Sequence, residues 1–227
     1  MDLSKSIGTD NEFVCVKLSG GADSAIIYYA VCDAVKDTNT KIIVITLDTD
    51  LKDQYIAGAK RIIKIVKDLT GVEPYEHITN TVEHSLENYN NGQHHLLEQV
   101  WEKYGKYIPV YTGLTINPPH EDMVEFFENN AERLGIDLQH ALAHIHSRDQ
   151  GRDIKLPYGE NPGRLFGKTD KKGTAAAYKH YDMMEKLYPY TFSCESAPYE
   201  LDENDMPIHC GHCFFCLERW WGFDRLT

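Results

Sequence analysis

The run Lys41-Ile42-Ile43-Val44-Ile45-Thr46-Leu47 constrains the fold more than any other stretch of this chain. It is rich in β-branched residues and almost wholly apolar, so it reads as a strand with no face for water. Such a strand needs cover on both sides, and the flanking sequence supplies it. Phe13 to Leu18 is a short apolar strand, broken by Ser19-Gly20-Gly21, and Ala25 to Val35 continues as an apolar helix. A second helix is predicted from Lys52 to Leu69, with Ile56, Ile62, Ile63 and Val66 apolar and Gly71 at its stop. Pro74 to Ile78 is a weaker extended segment. Glu83 to Tyr104 reads as a helix interrupted near Asn90-Asn91-Gly92, Ile108 to Tyr111 as a short strand, and Glu121 to Leu134 as another helix. Strands alternating with helices predict an α/β fold: a parallel sheet of about five strands with helices on both faces.

The pattern changes after about residue 135. Gly151 to Gly173 is rich in Gly, Pro and charge and reads as a long loop, followed by a helix from Thr174 to Leu187. Tyr190 to Thr227 holds four of the six cysteines and an aromatic tail in which Trp220, Trp221 and Phe223 pack against the rest. The organisation expected is an α/β domain over 1–189 and a cysteine-bearing segment over 190–227. The 227 residues suffice for a core without staples.

With 35 acidic against 23 basic residues, the net charge is -12. That balance argues against a nucleic-acid partner and against an anionic membrane surface, since both need Lys and Arg to displace counterions. No apolar run approaches the roughly 20 residues that span a bilayer, and Met1 to Asp10 has no signal pattern. A soluble, cytoplasmic protein is expected.

Leu18-Ser19-Gly20-Gly21-Ala22-Asp23-Ser24 stands between a strand and a helix. Two glycines let the backbone approach a ligand closely, and the helix N-terminus offers N–H groups and partial positive charge to a phosphate. Ser19 and Ser24 add hydroxyls, and Asp23 can hold a Mg²⁺ that bridges phosphates. The plainer reading is a Gly turn with an Asp/Ser helix cap. The Ser-Gly-Gly-x-Asp-Ser pattern resembles the pyrophosphate loop of the PP-loop ATPases, the N-type ATP pyrophosphatases. That resemblance implies ATP with Mg²⁺, cleavage between the α- and β-phosphates, adenylation of a substrate, and a Rossmann-like fold of the adenine nucleotide alpha hydrolase kind. It places adenine near the end of the second strand, at Leu47 and Asp48. No Gly-Lys-Ser/Thr follows, so this is not a Walker loop.

Cys210-Gly211-His212-Cys213-Phe214-Phe215-Cys216 puts three thiols at three-residue spacing, with Cys194 upstream. Four thiolates make a closed tetrahedral zinc site; a [4Fe–4S] cluster also takes four, and free thiols are the third alternative. His209 and His212 read as bystanders. Cys15 and Cys32 lie in apolar segments and read as core.

Ser193-Cys194, the Cys-Gly-x-Cys-x-x-Cys run and Leu217-Glu218-Arg219 together resemble the C-terminus of the 7-cyano-7-deazaguanine synthases. That family adenylates 7-carboxy-7-deazaguanine, forms the amide with ammonia, and uses a second ATP to reach the nitrile; its cysteines bind zinc. The resemblance implies a small-molecule carboxylate and ammonia as partners, and a homodimer. The chain departs from the family at Asp48-Thr49-Asp50-Leu51, in place of a Tyr-Gly-Gln tract, at Tyr111 to Pro119, in place of an Asp-Cys-Arg stretch, and in the longer gap from Cys194 to Cys210. Adenylation is therefore better supported than the acceptor. The alternatives are a tRNA-thiolating or other adenylating enzyme, or a nucleotide-binding module without catalysis; an adenylyl-sulfate type of reductase would need a reactive cysteine outside the metal set.

Lys155, Arg164, Lys168, Lys171 and Lys172 collect on the long loop. Cations there could neutralise leaving pyrophosphate, and the resemblance selects Lys168 for that role. The alternative is a solvated basic loop. His140, His144 and His146, with Arg148 behind them, fall at helical or near-helical spacing; without a matching carboxylate they read as surface or capping residues.

Overall fold

A computed structural model describes residues 1–50, 54–147, 165–196 and 198–227. Strands β1 (Phe13–Lys17), β2 (Lys41–Thr49), β3 (Glu76–Val82) and β4 (Val110–Thr112) form one sheet. Every pairing is parallel, and the order is β3-β2-β1-β4. Helices α1 (Ala22–Val35), α2 (Gln54–Thr70) and α3 (Leu86–Tyr104) follow the first three strands. After β4 come α4 (His120–Leu134), α5 (Leu138–Ser147), α6 (Lys171–His180) and α7 (Phe214–Phe223).

The apolar run at 41–47 is the buried strand it predicts: β2 is buried from Ile42 to Thr49. Val14, Val16, Ile42 and Val44 pack with α1 and α2 through Ile26, Ala59 and Ile62. The alternate residues Cys15, Ile43, Ile45 and Leu47 pack with Leu96, Leu97 and Val100 of α3. Both faces are thus covered, as a two-sided apolar strand requires.

Four strands, rather than about five, are present among the described residues. Among the described residues no strand of the sheet follows β4; α4 and α5 bury their apolar faces against each other and against α7. Met123, Phe127, Ala141, Ile145, Leu217 and Trp221 form that separate core. Helix α3 runs unbroken through Asn90-Asn91-Gly92, held by its contacts with the sheet; tertiary packing overrides the weak local propensity. β3 extends to Val82, beyond the predicted Ile78. It is an edge strand whose His77, Thr79, Asn80 and Thr81 dilute the apolar signal. Helix α6 begins at Lys171 rather than Thr174, since the Asp170 carboxylate accepts from the N–H groups of Lys172 at 2.9 Å and Gly173 at 3.3 Å. It ends at His180 rather than near Leu187, where Asp182 turns the chain with φ of 56°. No helix among the described residues is long and apolar enough to cross a membrane.

The order β3-β2-β1-β4 places a topological switch beside β1. The chain moves from β1 through β2 to β3 on one side, then crosses to β4 on the other. Loops diverge at the carboxyl ends of β1 and β4, which is where open parallel sheets hold ligands. Gly113, directly after β4, lies against the first turn of α1. A Cβ there would stand 2.5 Å from the Ser24 amide nitrogen and 2.8 Å from the Asp23 carbonyl carbon. Gly113→Ala is therefore expected to destabilise the fold by about 1–3 kcal/mol, read as a lower urea midpoint at unchanged slope. An unchanged midpoint would show that this close approach is absent.

Candidate functional site

The Ser19–Ser24 loop leaves β1 at the switch point. Gly20 has φ of +78°, a conformation that costs a residue with a Cβ, and a Cβ there would also meet the Gly58 backbone of α2 at 2.7 Å. The loop therefore sits in a slot between α2 and the strand ends. Gly21 occupies the N-cap of α1 and brings no side-chain cap. The first amides of that helix have no intrahelical acceptor, and with the dipole they form a seat for an anion. The serines hold the turn: Ser24 Oγ donates to the Gly21 carbonyl at 3.1 Å, accepts from the Ser19 amide at 3.2 Å, and lies 3.1 Å from Ser19 Oγ. Leu18 and Ala22 are buried on either side.

The Asp23 carboxylate faces inward. One oxygen accepts from Lys171 Nζ and the other from Thr174 Oγ1 at 2.7 Å. Each oxygen thus spends one of its lone pairs inside the fold and keeps another. Lys171 also meets Glu218 Oε2 of α7 at 3.2 Å, and its side chain is 5% exposed against 17% for Asp23 and 6% for Glu218. Burial alone would pull the Lys171 ammonium down; the charges and hydrogen bonds of Asp23 and Glu218 outweigh it and leave the pKa above the ordinary lysine value. Tyr178 of α6 donates its hydroxyl to the Ala22 carbonyl at 2.8 Å, a second clasp on the same turn.

Lys168 is exposed in the turn at 165–168, and Lys172 is exposed on α6 with its ammonium 4.1 Å from the Trp221 ring centre. Lys155 and Arg164 lie outside the described residues, as does Arg148. Leu47 and Asp48 close the end of β2 with buried side chains. Asp48 accepts from the Thr49 amide at 2.9 Å and the Ile56 amide at 2.8 Å, and so pins the start of α2.

The cysteines converge as the spacing predicts. Sγ atoms of Cys194, Cys210, Cys213 and Cys216 all lie within 4.8 Å of one another. Cys210 and Cys216 are 3.8 Å apart, and Cys213 and Cys194 are 3.9 Å apart. Four thiolates at about 2.3 Å from one ion stand about 3.8 Å from each other, so the set fits a single tetrahedral ion. Gly211, with φ of +81°, turns the chain between two ligands, and the Cys213 amide donates to Cys210 Sγ at 3.3 Å. Neighbouring Cys194 and Cys213 hold the Cys216 thiol far above its ordinary pKa; thiolates this close need a cation between them. Cys15 and Cys32 are fully buried in the core.

The metal knuckle and the loop are mechanically joined. Cys213 caps α7, which carries Cys216, Glu218 and Arg219. Arg219 is wholly buried. Its guanidinium donates to Thr191 Oγ1 at 3.0 Å, Ser193 Oγ at 3.3 Å and the Leu226 carbonyl at 2.9 Å, and lies over the Tyr188 ring at 4.3 Å. Between Thr191 and Ser193, the Phe192 amide donates to the Gly20 carbonyl at 3.0 Å. Sequence reasoning grouped Lys171 with the other loop cations without singling it out, and missed Thr174, Glu218, Gly58 and Gly113 as parts of this site. Asp170, an N-cap residue just before Lys171, was the one local signal that could have placed Lys171 at a helix start.

No family model matches the chain, and no curated protein matches it. Among solved structures it is similar to the U34-tRNA thiolase NcsA from Methanococcus maripaludis with its [4Fe-4S] cluster, at 17% identity and a TM-score of 0.44. The match covers 86% of this chain, which spans 65% of that one.

Removing the buried cation should be costly. Lys171→Met removes the ammonium from between the Asp23 and Glu218 carboxylates, and breaking a buried pair costs about 3–5 kcal/mol. Because the folded-state pKa of Lys171 is raised, its contribution is complete below the ordinary lysine value of about 10.4 and fades as pH rises past it. Chemical denaturation from pH 6 to 9 is expected to show a constant loss of that size. A loss under 1 kcal/mol would mean the triad is solvated.

Proposed function

We propose that this chain is an ATP-dependent carbon–nitrogen ligase of the PP-loop ATP pyrophosphatase type, acting on 7-carboxy-7-deazaguanine to make 7-cyano-7-deazaguanine. The observation that carries the adenylation reading is the Ser19–Ser24 loop, uncapped at α1 and set at the switch point of a parallel sheet. The cysteine run with Ser193 and Arg219 supports the choice of acceptor, since those residues carry the resemblance to the synthases.

In this reading the Gly21 to Ser24 amides and the Ser19 and Ser24 hydroxyls hold the phosphates of MgATP, taken as a substrate. The acceptor carboxylate attacks the α-phosphorus and pyrophosphate leaves. Ammonia then displaces AMP to give the amide. The amide oxygen attacks the α-phosphorus of a second ATP, again releasing pyrophosphate, and loss of AMP and a proton leaves the nitrile. Asp23, clasped by Lys171 and Thr174, acts as a positioning residue that sets the start of α1. Lys168, exposed three residues before Lys171, is the cation proposed to meet the pyrophosphate. Adenine is proposed to lie at the end of β2, against the backbone of Leu47 and Asp48. The reaction needs positioning and charge neutralisation more than a strong base.

For the cysteines we propose one Zn²⁺. Sγ separations near 3.8 Å suit a single ion, whereas a cubane puts irons and sulfides between the thiolates and spreads them farther. Bound there, zinc supplies structure: with four protein ligands it keeps no open position for chemistry.

The test is a reaction of the metal-loaded protein with MgATP, ammonium and 7-carboxy-7-deazaguanine, reading AMP and product mass together. AMP with a product at the nitrile mass is expected, and Lys168→Ala should slow AMP formation about tenfold or more. Folded, metal-loaded protein that forms no AMP with this carboxylate would reject it as the acceptor. Elemental analysis should find about one zinc per chain in a colourless protein; iron with visible absorption would overturn the zinc assignment and revive the thiolation reading.

A further inference from the structure

Of the four cysteines, Cys194, Cys213 and Cys216 are buried and Cys210 alone is partly open. An ion reaching the cluster through the described surface must pass Cys210. Cys210 opens onto a surface cavity of about 240 Å³ whose walls include Asp137, His140, His212 and Trp220. His140 and His144 stand one turn apart on α5, with their Nε2 atoms 3.1 Å from each other. Two imidazole nitrogens at this separation fit adjacent positions on one transition-metal ion, whose bonds to imidazole are about 2.0–2.1 Å long. The His212 ring lies 5.5 Å from that of His140, centre to centre. Its Nδ1 is 2.8 Å from the Cys210 carbonyl, so that nitrogen carries the proton and donates, and Nε2 holds the lone pair. A backbone carbonyl behind the ring is the usual arrangement for a ligating histidine.

We propose that His140 and His144, with His212 beside His140, form a two-imidazole capture site for a divalent transition ion, from which the ion passes to the cysteines through Cys210. This inference rests on the reading of the four cysteines as a single-ion site. The chemistry orders the two sites. Neutral imidazoles on an exposed face bind an ion loosely and keep water on it. Four thiolates, three of them buried, bind it far more tightly. Among the described residues only the cysteines form a ready group of three or more ligand atoms, and a transit site must remain the weaker one if the ion is to leave it.

Metal-free, reduced protein mixed with Co²⁺ below one micromolar would report loading through the thiolate-to-cobalt absorption band. The His140→Ala/His144→Ala variant alters one exposed and one half-buried side chain and is expected to load at least fivefold more slowly, yet to reach the same final absorbance. Equal loading rates would overturn the proposal. A second measurement uses protein already holding zinc at the cysteines. Ni²⁺ is expected to quench the fluorescence of Trp220, which lines the cavity, and to lose that effect in the double variant. Quenching that survives in the variant would also overturn it. No thiolate band in either protein would instead remove the single-ion reading of the cysteines.

Discussion

The Lys171 ammonium, buried between the carboxylates of Asp23 and Glu218, is the interaction on which the rest of the site depends. Taking three charges out of water costs several kcal/mol for each, and the arrangement persists only where every group finds a partner. Here Thr174 supplies Asp23 with its second donor. The result joins three stretches far apart in the chain: the first turn of α1, the first turn of α6 and the middle of α7. The conformation of the Ser19–Ser24 loop is therefore set partly by residues about 150 and 195 positions downstream.

The same logic explains what an ion would contribute among the four cysteines. Apart from α7, the segment from Tyr190 onward has little apolar material of its own. Around the cysteines, the buried cluster is small, with Phe192 as its one buried aromatic residue. An ion held by four thiolates replaces the missing core, because its binding energy is also folding energy. That rigidity is passed on by Arg219, which anchors Thr191 and Ser193, while Phe192 between them holds the Gly20 carbonyl. A loose knuckle would free α7, and with it Glu218, from the loop.

Much of the fold is legible in the residues. The β-branched run of β2 demands two covered faces and has them. The Ser-Gly-Gly loop falls between a strand and a helix, as its composition requires, and the cysteine spacing foretells a cluster that the folded chain closes. The misreadings share one cause. β3 is an edge strand, so five of its seven residues are polar and its period fades. Helix α6 was expected late and long, because Asp170 as a cap and Asp182 as a left-handed stop act on backbone groups rather than on hydrophobic pattern. Among the described residues, α4 and α5 choose each other and α7 over the sheet, a choice between partners that amphipathic periodicity does not encode.

The five cations of the basic loop show the boundary most clearly. By sequence they are alike, and charge alone nominates any of them for a phosphate. In the folded chain Lys171 is buried against Asp23 and Glu218, while Lys168 and Lys172 remain at the surface. The sequence by itself determined the layered α/β class, the glycine-rich turn at the head of α1 and which four cysteines converge, since these follow from local composition and spacing. Only the tertiary structure decided which lysine enters the interior, that Gly58 and Gly113 shape the loop, and that the cysteine knuckle grips it. Each of those depends on the desolvation and close approach of groups distant in the chain, and burial is a property of the packed whole.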